Sequence, residues 1–559
     1  MSISIPKPLA CTGLLFCLPL FTYAQFDGGD GGGGAQGSTL NYTYDGSSWS
    51  PENPDGITTG ESTVNYLLIS SGSASLSSAT AASQVEISPG ASLQANSLTL
   101  RDSVFIQADA SGYGQYKGSQ QNVRIQQYIA HTGWHNISMP VAGNLDQFGA
   151  VNTARSAGAR NIYQWDAAAQ NWSDPVGASD GSSVANSPGA GYLTFVGHTA
   201  THGLSGVIDT LQTIDFSGLM YTSANPTINN GWNLIANPFT CSLDFDALDV
   251  ANSGSDVNNS FSIWDPSAVG GRGDYLEVSS ISPSSQKIAP LQSFWIEATD
   301  ANASFPAMNM SDHGTVGSAP THYKSQSVIA DRLFLHTYQA SNPQLEDELL
   351  IGMVAGASDG NDHAYDAGKR IGNNVAPFLM SAEDGSELAI NAIDYGPLGA
   401  KPKLLQLRFV SAKNNEDYFI ALEDSLLTNE YRVVLEDKKL SKRHDLNSRA
   451  YRFTHDITEE YRFVLHLEPL VEKLDEHTQV VVAAGSGPGR YFIIYFKDGS
   501  SAKPMEGALY DLQGKRVQRF TVPAGQDRVE VSAEALPTGI YLLKVQTPKG
   551  IHAEKILID

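Results

Sequence analysis

Cysteine is nearly missing from this chain. Only three occur in 559 residues, and Cys11 and Cys17 fall near the start. If the first 24 residues are removed, Cys241 stands alone. That excludes an intrachain disulfide and a cysteine-based metal cluster, so stability must come from buried cores. Positive charge is also scarce: 35 Lys and Arg against 59 Asp and Glu give a net charge of −24. Such acidity argues against nucleic-acid binding, which wants a basic stripe, and against simple electrostatic adhesion to anionic lipid. Long apolar runs are missing beyond the N-terminus. Phe492–Phe496 is strand-sized, well short of the ~18–20 apolar residues that span a bilayer as a helix. No transmembrane span is expected. No helical hydrophobic period of useful length appears either.

What is present is short strands and turn residues. Lys7 is the only charge before Asp27, and Leu14–Tyr23 is an apolar stretch of signal-peptide length. Small residues follow, so residues 1–24 read as a signal peptide cleaved between Ala24 and Gln25. Residues 25–38 form a Gly-rich linker. Over 39–122, Leu67/Ile69, Val85/Ile87 and Val104/Ile106 recur at 18 and 19 residues and are followed by Gly72, Gly90 and Gly112. That period predicts rungs of a β-solenoid. An ordinary meander of hairpins is the alternative.

Residues 123–312 contain a duplication. GWHNISMPVAGN (133–144), NIYQWDAAAQNW (161–172) and GAGYLTFVG (189–197) are matched in order by GWNLIANPFTCS (231–242), FSIWDPSAVGGRGDY (261–275) and LQSFWIEA (291–298). Two β modules are expected, at 123–220 and 221–312. With VRIQQYI (123–129), these phrases resemble a segment common in large secreted Bacteroidetes proteins. Charge then shifts: residues 25–320 hold 25 acidic and 7 basic side chains, whereas 321–559 hold 34 and 27. Residues 313–327 read as a linker. Seven strand candidates over 328–470 suit a β-sandwich. The phrases DAGKR (366–370), LAINAID (388–394), LEDKKL (435–440) and DLNSRAYRF (445–453) resemble the sandwich that often precedes a secretion-sorting tail.

Residues 480–559 read as RYFIIYF, GALYDLQGKRV, DRVEVS, TGIYLLKVQ and HAEKILID, a small antiparallel sandwich of Ig-like type. YDLQGKRV, LPTGIYLLKV and AEKILI resemble the C-terminal sorting domain, type A, of the Bacteroidetes type IX secretion system. The motif residues are Gly514, Lys515, Gly539, Tyr541 and Lys555. The domain opens with GSGPGRYF where many relatives have Pro-Asn-Pro. The resemblance implies passage through the type IX machinery, removal of the tail, and a secreted protein that is released or anchored at the outer-membrane surface.

Chemistry-bearing motifs are sparse. GASDG occurs at 177–181 and 356–360, but a nucleophile elbow needs a helix after Ser179 or Ser358, and the following residues are turn-like. His198 and His202 sit at metal-ligand spacing without a general base between them. Asp359, Asn361, Asp362 and Asp366 share a Gly-bearing loop and are the calcium candidates, although the EF-hand spacing is absent and Asx residues also cap turns. Arg272-Gly273-Asp274 is an RGD tripeptide in a Gly-rich loop. Asp166 and Asp265 are equivalent in the two repeats and read as turn starters after core tryptophans. Trp172, Tyr275 and Trp295 are the candidates for stacking on sugar rings. The expectation is an all-β, multi-domain exported protein, adhesin-like or structural, not an enzyme and without a cofactor. Its expected partner is a surface polysaccharide or another cell. The alternative is a secreted glycan-acting enzyme or carbohydrate-binding accessory protein.

Overall fold

The computed structural model describes residues 40–558 apart from 59–64, 144–161, 174–185, 209–212, 222–229, 283–286, 318–331, 395–402, 426–430, 470–479, 485–490, 497–503 and several shorter gaps. Signal, cleavage pair Ala24 and Gln25, and Gly-rich leader lie outside the described residues.

The N-terminal region is a parallel β-solenoid. Strands Leu40–Tyr44, Asn65–Ile69, Gln84–Ile87, Val104–Ile106 and Gln121–Ile129 stack in parallel register. The 18- and 19-residue spacing places Leu67, Val85, Val104 and Val123 in one ladder and Ile69, Ile87, Ile106 and Ile125 in the next. All eight are at most 1 % exposed. β-Branched residues dominate because each packs on the same residue type one rung away. Ser73–Leu76, Ser92–Ala95 and Gln115–Gly118 build a second face, and Thr80–Ala82 with Leu98–Leu100 builds a third. Gly72 turns a corner at φ +66°, where a Cβ would meet Gly46 Cα at 2.7 Å. Only glycine fits there.

The solenoid sheet does not stop near residue 123. Gln121–Ile129 is its last parallel rung and also pairs antiparallel with Ala200–Ile208. Solenoid and first module consequently share a core that includes Ile125, Ile137, Met139, Tyr192 and Leu204. The second module docks on another solenoid face: Tyr116 N donates to Thr240 O (3.0 Å), and Thr240 Oγ1 returns a bond to Tyr116 O (2.8 Å).

Eleven strands from Arg332–Gln339 to Phe463–Pro469 form one curled sheet. A two-sheet sandwich is the sequence expectation; the strands instead run as a continuous sheet wrapped nearly shut around one core. Its far ends meet through LEDKKL and DLNSRAYRF. Arg462 donates through Nε (2.8 Å) and Nη2 to the Asp437 carboxylate, and the Tyr451 hydroxyl adds a 2.7 Å bond. This pair is buried, and bidentate geometry with a third donor is what makes a buried charge tolerable.

The C-terminal region has a three-stranded sheet and a four-stranded sheet around one core of Ile494, Leu509, Val531, Leu543 and Val545. The Tyr541 hydroxyl donates to the Pro537 carbonyl at 2.8 Å. It pins the LPTG turn in the manner of an Ig tyrosine corner.

Candidate functional site

The two modules repeat one topology and face each other across a pseudo-two-fold axis. Gly133–Ser138, Gly191–Val196, Ile162–Asp166 and Asn171–Trp172 occur in the same spatial order as Trp232–Ala236, Ser293–Glu297, Ser260–Asp265 and Asp274–Ser279. The contacts between them are reciprocal. Trp165 Nε1 donates to Trp232 O, and Trp264 Nε1 donates to Trp134 O, both at 2.7 Å. Ser138 N bonds Leu291 O (3.0 Å), and Ala236 N bonds Gly189 O (2.9 Å). Each Trp-Asp phrase therefore reads the backbone of the other copy's Gly-Trp phrase. The aspartates start turns: Asp166 Oδ1 accepts from Ala169 N, and Asp265 Oδ1 accepts from Ser267 N and Oγ.

The dyad builds an aromatic box, and the curled sheet fills it. Trp165, Trp172 and Tyr275 stand edge-on around Trp295 at centroid distances of 5.1, 5.6 and 6.1 Å. The Arg370 guanidinium lies 3.5 Å from the Trp295 ring centroid, 4.8 Å from Tyr275, 5.3 Å from Trp232 and 5.4 Å from Trp165. Its Nε and Nη1 have no hydrogen-bond partner among the described residues. The rings replace those partners electrostatically.

Every residue of DAGKR contributes. Asp366 Oδ1 accepts from Ala392 N (2.6 Å) and its Oδ2 from Asp362 N (2.7 Å), anchoring the segment. Ala367 is buried. A Cβ on Gly368 would sit 2.3 Å from Glu297 Oε2, so glycine admits that carboxylate. Lys369 Nζ pairs with Asp347 and lies 3.9 Å from Glu277. Arg370 N donates to Glu277 Oε1 at 3.0 Å. One short segment thus joins module and sheet by two buried cations.

Burial dominates the protonation of this cluster. It raises the Asp274 carboxyl to about 8, and Glu277 and Glu297 each to about 7. Lys369 stays charged: burial opposes its charge, but Asp347, Glu277 and Asp274 together hold its pKa above the ordinary lysine value. Each of the three acids binds its proton more tightly folded than unfolded. Their contribution to stability is therefore full below the ordinary carboxylate pKa of ~4 and is lost as pH rises toward about 7–8. The melting temperature is expected to fall between about pH 5 and 8. A melting temperature that climbs across this window, measured by calorimetry in low salt, contradicts the assignment.

The sequence-derived candidates fare differently. Trp172, Tyr275 and Trp295 do come together, but around Arg370. Trp295 is 0 % exposed, so its face is closed to a sugar. The reason is that the second module presents this face to the curled sheet. Asp274 of the RGD tripeptide is buried beside Lys369, so the tripeptide is not a free loop. In the calcium-candidate loop, Asp362 accepts from Ser358 N and Ala364 N, and Asp366 is engaged as above. Asn361 Nδ2 bonds Ser386 Oγ, while its buried Oδ1 has no partner among the described residues. Asp359 lies outside the described residues. No cluster of three His, Cys, Asp or Glu side chains suited to a metal occurs among the described residues. Ser358 is exposed and its Oγ bonds Gly360 O, without a following helix. Ser179, His198 and the His202 side chain lie outside the described residues. In the tail, Gly514 does too. Lys515 N bonds Asp511 Oδ1 (2.8 Å), Gly539 pairs with Ile558, and Lys555 is exposed opposite Leu542. No helix among the described residues is long and apolar enough to cross a membrane.

The dyad leaves a second feature, a groove of about 360 Å³ between solenoid and modules. Tyr113, Tyr128 and Trp264 line it together with the amides of Gln126, Gln127, Asn136 and Gln292. Both amide atoms of Asn136 and Oε1 of Gln127 are buried without a partner among the described residues. Sequence reading missed this groove, because its walls come from three distant segments. It also missed Arg370, although DAGKR was visible as a phrase.

Comparison with known proteins accounts for nearly the whole described chain. No curated protein matches it. Residues 490–559 match the secretion system C-terminal sorting domain, so the protein is a type IX secretion substrate, delivered outside the cell. A second family model matches residues 56–467, a span that takes in solenoid, dyad and curled sheet, in keeping with their shared bonds. Over most of its length, then, this chain belongs to the family described as a domain of unknown function (DUF8693), and it ends in a sorting tail.

Proposed function

We propose that this is a non-enzymatic, adhesin-like protein displayed on the surface of a Bacteroidetes-type bacterium. It is exported behind a signal peptide at residues 1–24, and its tail is removed on arrival. The sorting tail behind residues 56–467 supports this reading most directly. The buried ionic groups of that body support it too, since Lys369, Arg370 and their carboxylates are used to hold its own layers together. Catalytic carboxylates need an open cleft and a substrate-facing pair. Asp274, Glu277 and Glu297 are buried under the DAGKR segment. A second reading, a carbohydrate-binding accessory protein, is favoured by the aromatic and amide groove.

Attachment of cells to polysaccharide-coated surfaces tests the proposal. A strain lacking this protein is expected to attach less, and added mature protein to block wild-type cells. The purified protein is expected to release no reducing ends from the same polysaccharides. Release of reducing ends in proportion to protein added contradicts the non-enzymatic reading.

A further inference from the structure

The lysine of the DAGKR segment has more reactive company than an ion pair needs. Lys369 Nζ lies 2.5 Å from Asp347 Oδ1 and 3.9 Å from Glu277 Oε2. The Lys369, Asp347 and Glu277 side chains are only 3, 6 and 7 % exposed. The Phe378 ring centroid stands 5.9 Å from Nζ, and Phe378 packs in an apolar cluster with Leu345, Ala376 and Met380. Asp274 is the one other acid that acts on this lysine. An amine, a carboxyl and a second carboxyl thus share one dry site.

Each part has a chemical use. An amine held against a carboxyl carbon attacks it at a very high effective concentration. Exclusion of water then protects the product from hydrolysis. Asp347 is fixed, since its Oδ2 accepts from Leu379 N at 2.9 Å. That backbone N–H is placed to stabilise negative charge developing on Oδ2 as the carbon becomes tetrahedral. Glu277 is oriented in the same way. Its Oε1 accepts from Arg370 N at 3.0 Å, which leaves Oε2 facing Nζ. Burial raises the Glu277 pKa to about 7, so it serves as a proton donor at and below neutral pH. Lys369 must first give up a proton. Asp347 Oδ1 takes it along the existing hydrogen bond, because a neutral pair costs less to keep dry than a charged one.

We propose that Lys369 and Asp347 condense into an intramolecular isopeptide bond, with Glu277 transferring the protons. Nζ attacks Asp347 Cγ, a C–N bond forms, and the carbonyl electron pair moves to Oδ2. Glu277 gives its proton to the Oδ1 hydroxyl and takes one from Nζ. The Cγ–Oδ1 bond breaks, Oδ1 leaves as water, and the Cγ–Oδ2 double bond returns. Of the three Nζ protons, one departs on the water, one replaces the proton of Glu277, and one remains as the amide N–H. Nothing is oxidised or reduced. The bond ties strand Asn342–Val354 to the DAGKR segment, across a sequence separation of 22. The ion pair is the state that precedes it. The step runs once per chain, so it is independent of what the surface protein binds and needs no external substrate.

Intact mass of the purified mature protein in denaturant, followed by peptide mapping, tests this. The wild type is expected to be one water lighter than its sequence. Cleavage after Glu346 and Glu348 is expected to leave residues 347–348 joined to residues 349–383, which contain Lys369. Lys369→Arg keeps the charge without the reactive amine and is expected to show full mass. Glu277→Gln can still accept from Arg370 N and is expected to slow the loss of water about tenfold or more. The wild-type mass needs no variant to fold. Full mass in the folded wild type overturns the proposal. So does a loss of water that persists in Lys369→Arg, which would mark dehydration elsewhere in the chain. Loss of water at the wild-type rate in Glu277→Gln overturns the role given to Glu277.

Discussion

Lys369→Ala is expected to cost about 3–5 kcal/mol of stability, the usual penalty for breaking a buried ion pair by removing one partner. The lysine is buried, and its Nζ faces Asp347, Glu277 and Asp274. Asp347 cannot turn elsewhere, since its Oδ2 also accepts from Leu379 N at 2.9 Å. Removing the cation leaves acids with no countercharge in a dry site. They must either take up protons or stay ionised at a cost. A second variant separates charge from packing: Lys369→Met with Asp347→Asn is expected to recover part of the loss, because the unpaired charge goes too. Urea midpoints of mature protein at pH 7 check both. A Lys369→Ala midpoint within about 0.5 kcal/mol of wild type would contradict the ion-pair account.

Arg370→Ala is expected to cost about 2–4 kcal/mol and to change tryptophan fluorescence. Two effects oppose each other. Losing the guanidinium forfeits its attraction to four rings, about 2 kcal/mol or more when desolvated, and opens a cavity. It also removes the unpartnered Nε and Nη1, which returns about 1–3 kcal/mol. Loss prevails because Trp295 lies 3.5 Å away and is fully buried, so the box has no other filler. Arg370→Met keeps most of the stem and is expected to fall between. Three of the chain's seven tryptophans contact this guanidinium. Their emission should shift in the Ala variant even under fully folding conditions. Unchanged emission together with wild-type stability would mean that the box closes without its cation.

Patterns with a fixed period were legible in the sequence. The 18- and 19-residue recurrence of Val and Ile became the solenoid ladders, because each rung repeats the one before. The duplication was equally visible, since Gly-Trp and Trp-Asp phrases recur in order. Its consequence was not: only the fold shows that Trp165 and Trp264 exchange backbone bonds between copies. Pairing across long separations carries no period. The curled sheet joins Asp437 to Arg462 and Tyr451, and the box joins Arg370 to Trp165, and no local pattern announces either. Trp172, Tyr275 and Trp295 were read as candidates for stacking on sugars; the fold gathers them around Arg370 and buries Trp295. Composition cannot tell a ring that waits for a sugar from one that already holds an arginine.

The most direct test concerns the tail and the body it carries. Surface protease shaving and mass spectrometry of the mature C-terminus would compare the full chain with a truncation ending at Pro469. The account predicts that the full chain is exposed outside the cell and shortened near residue 480, while the truncation folds but stays in the periplasm. If both reach the surface, or mature protein keeps Asp559, the last domain is not a sorting signal. The reading of this protein as a surface-displayed binding protein would then lose its foundation.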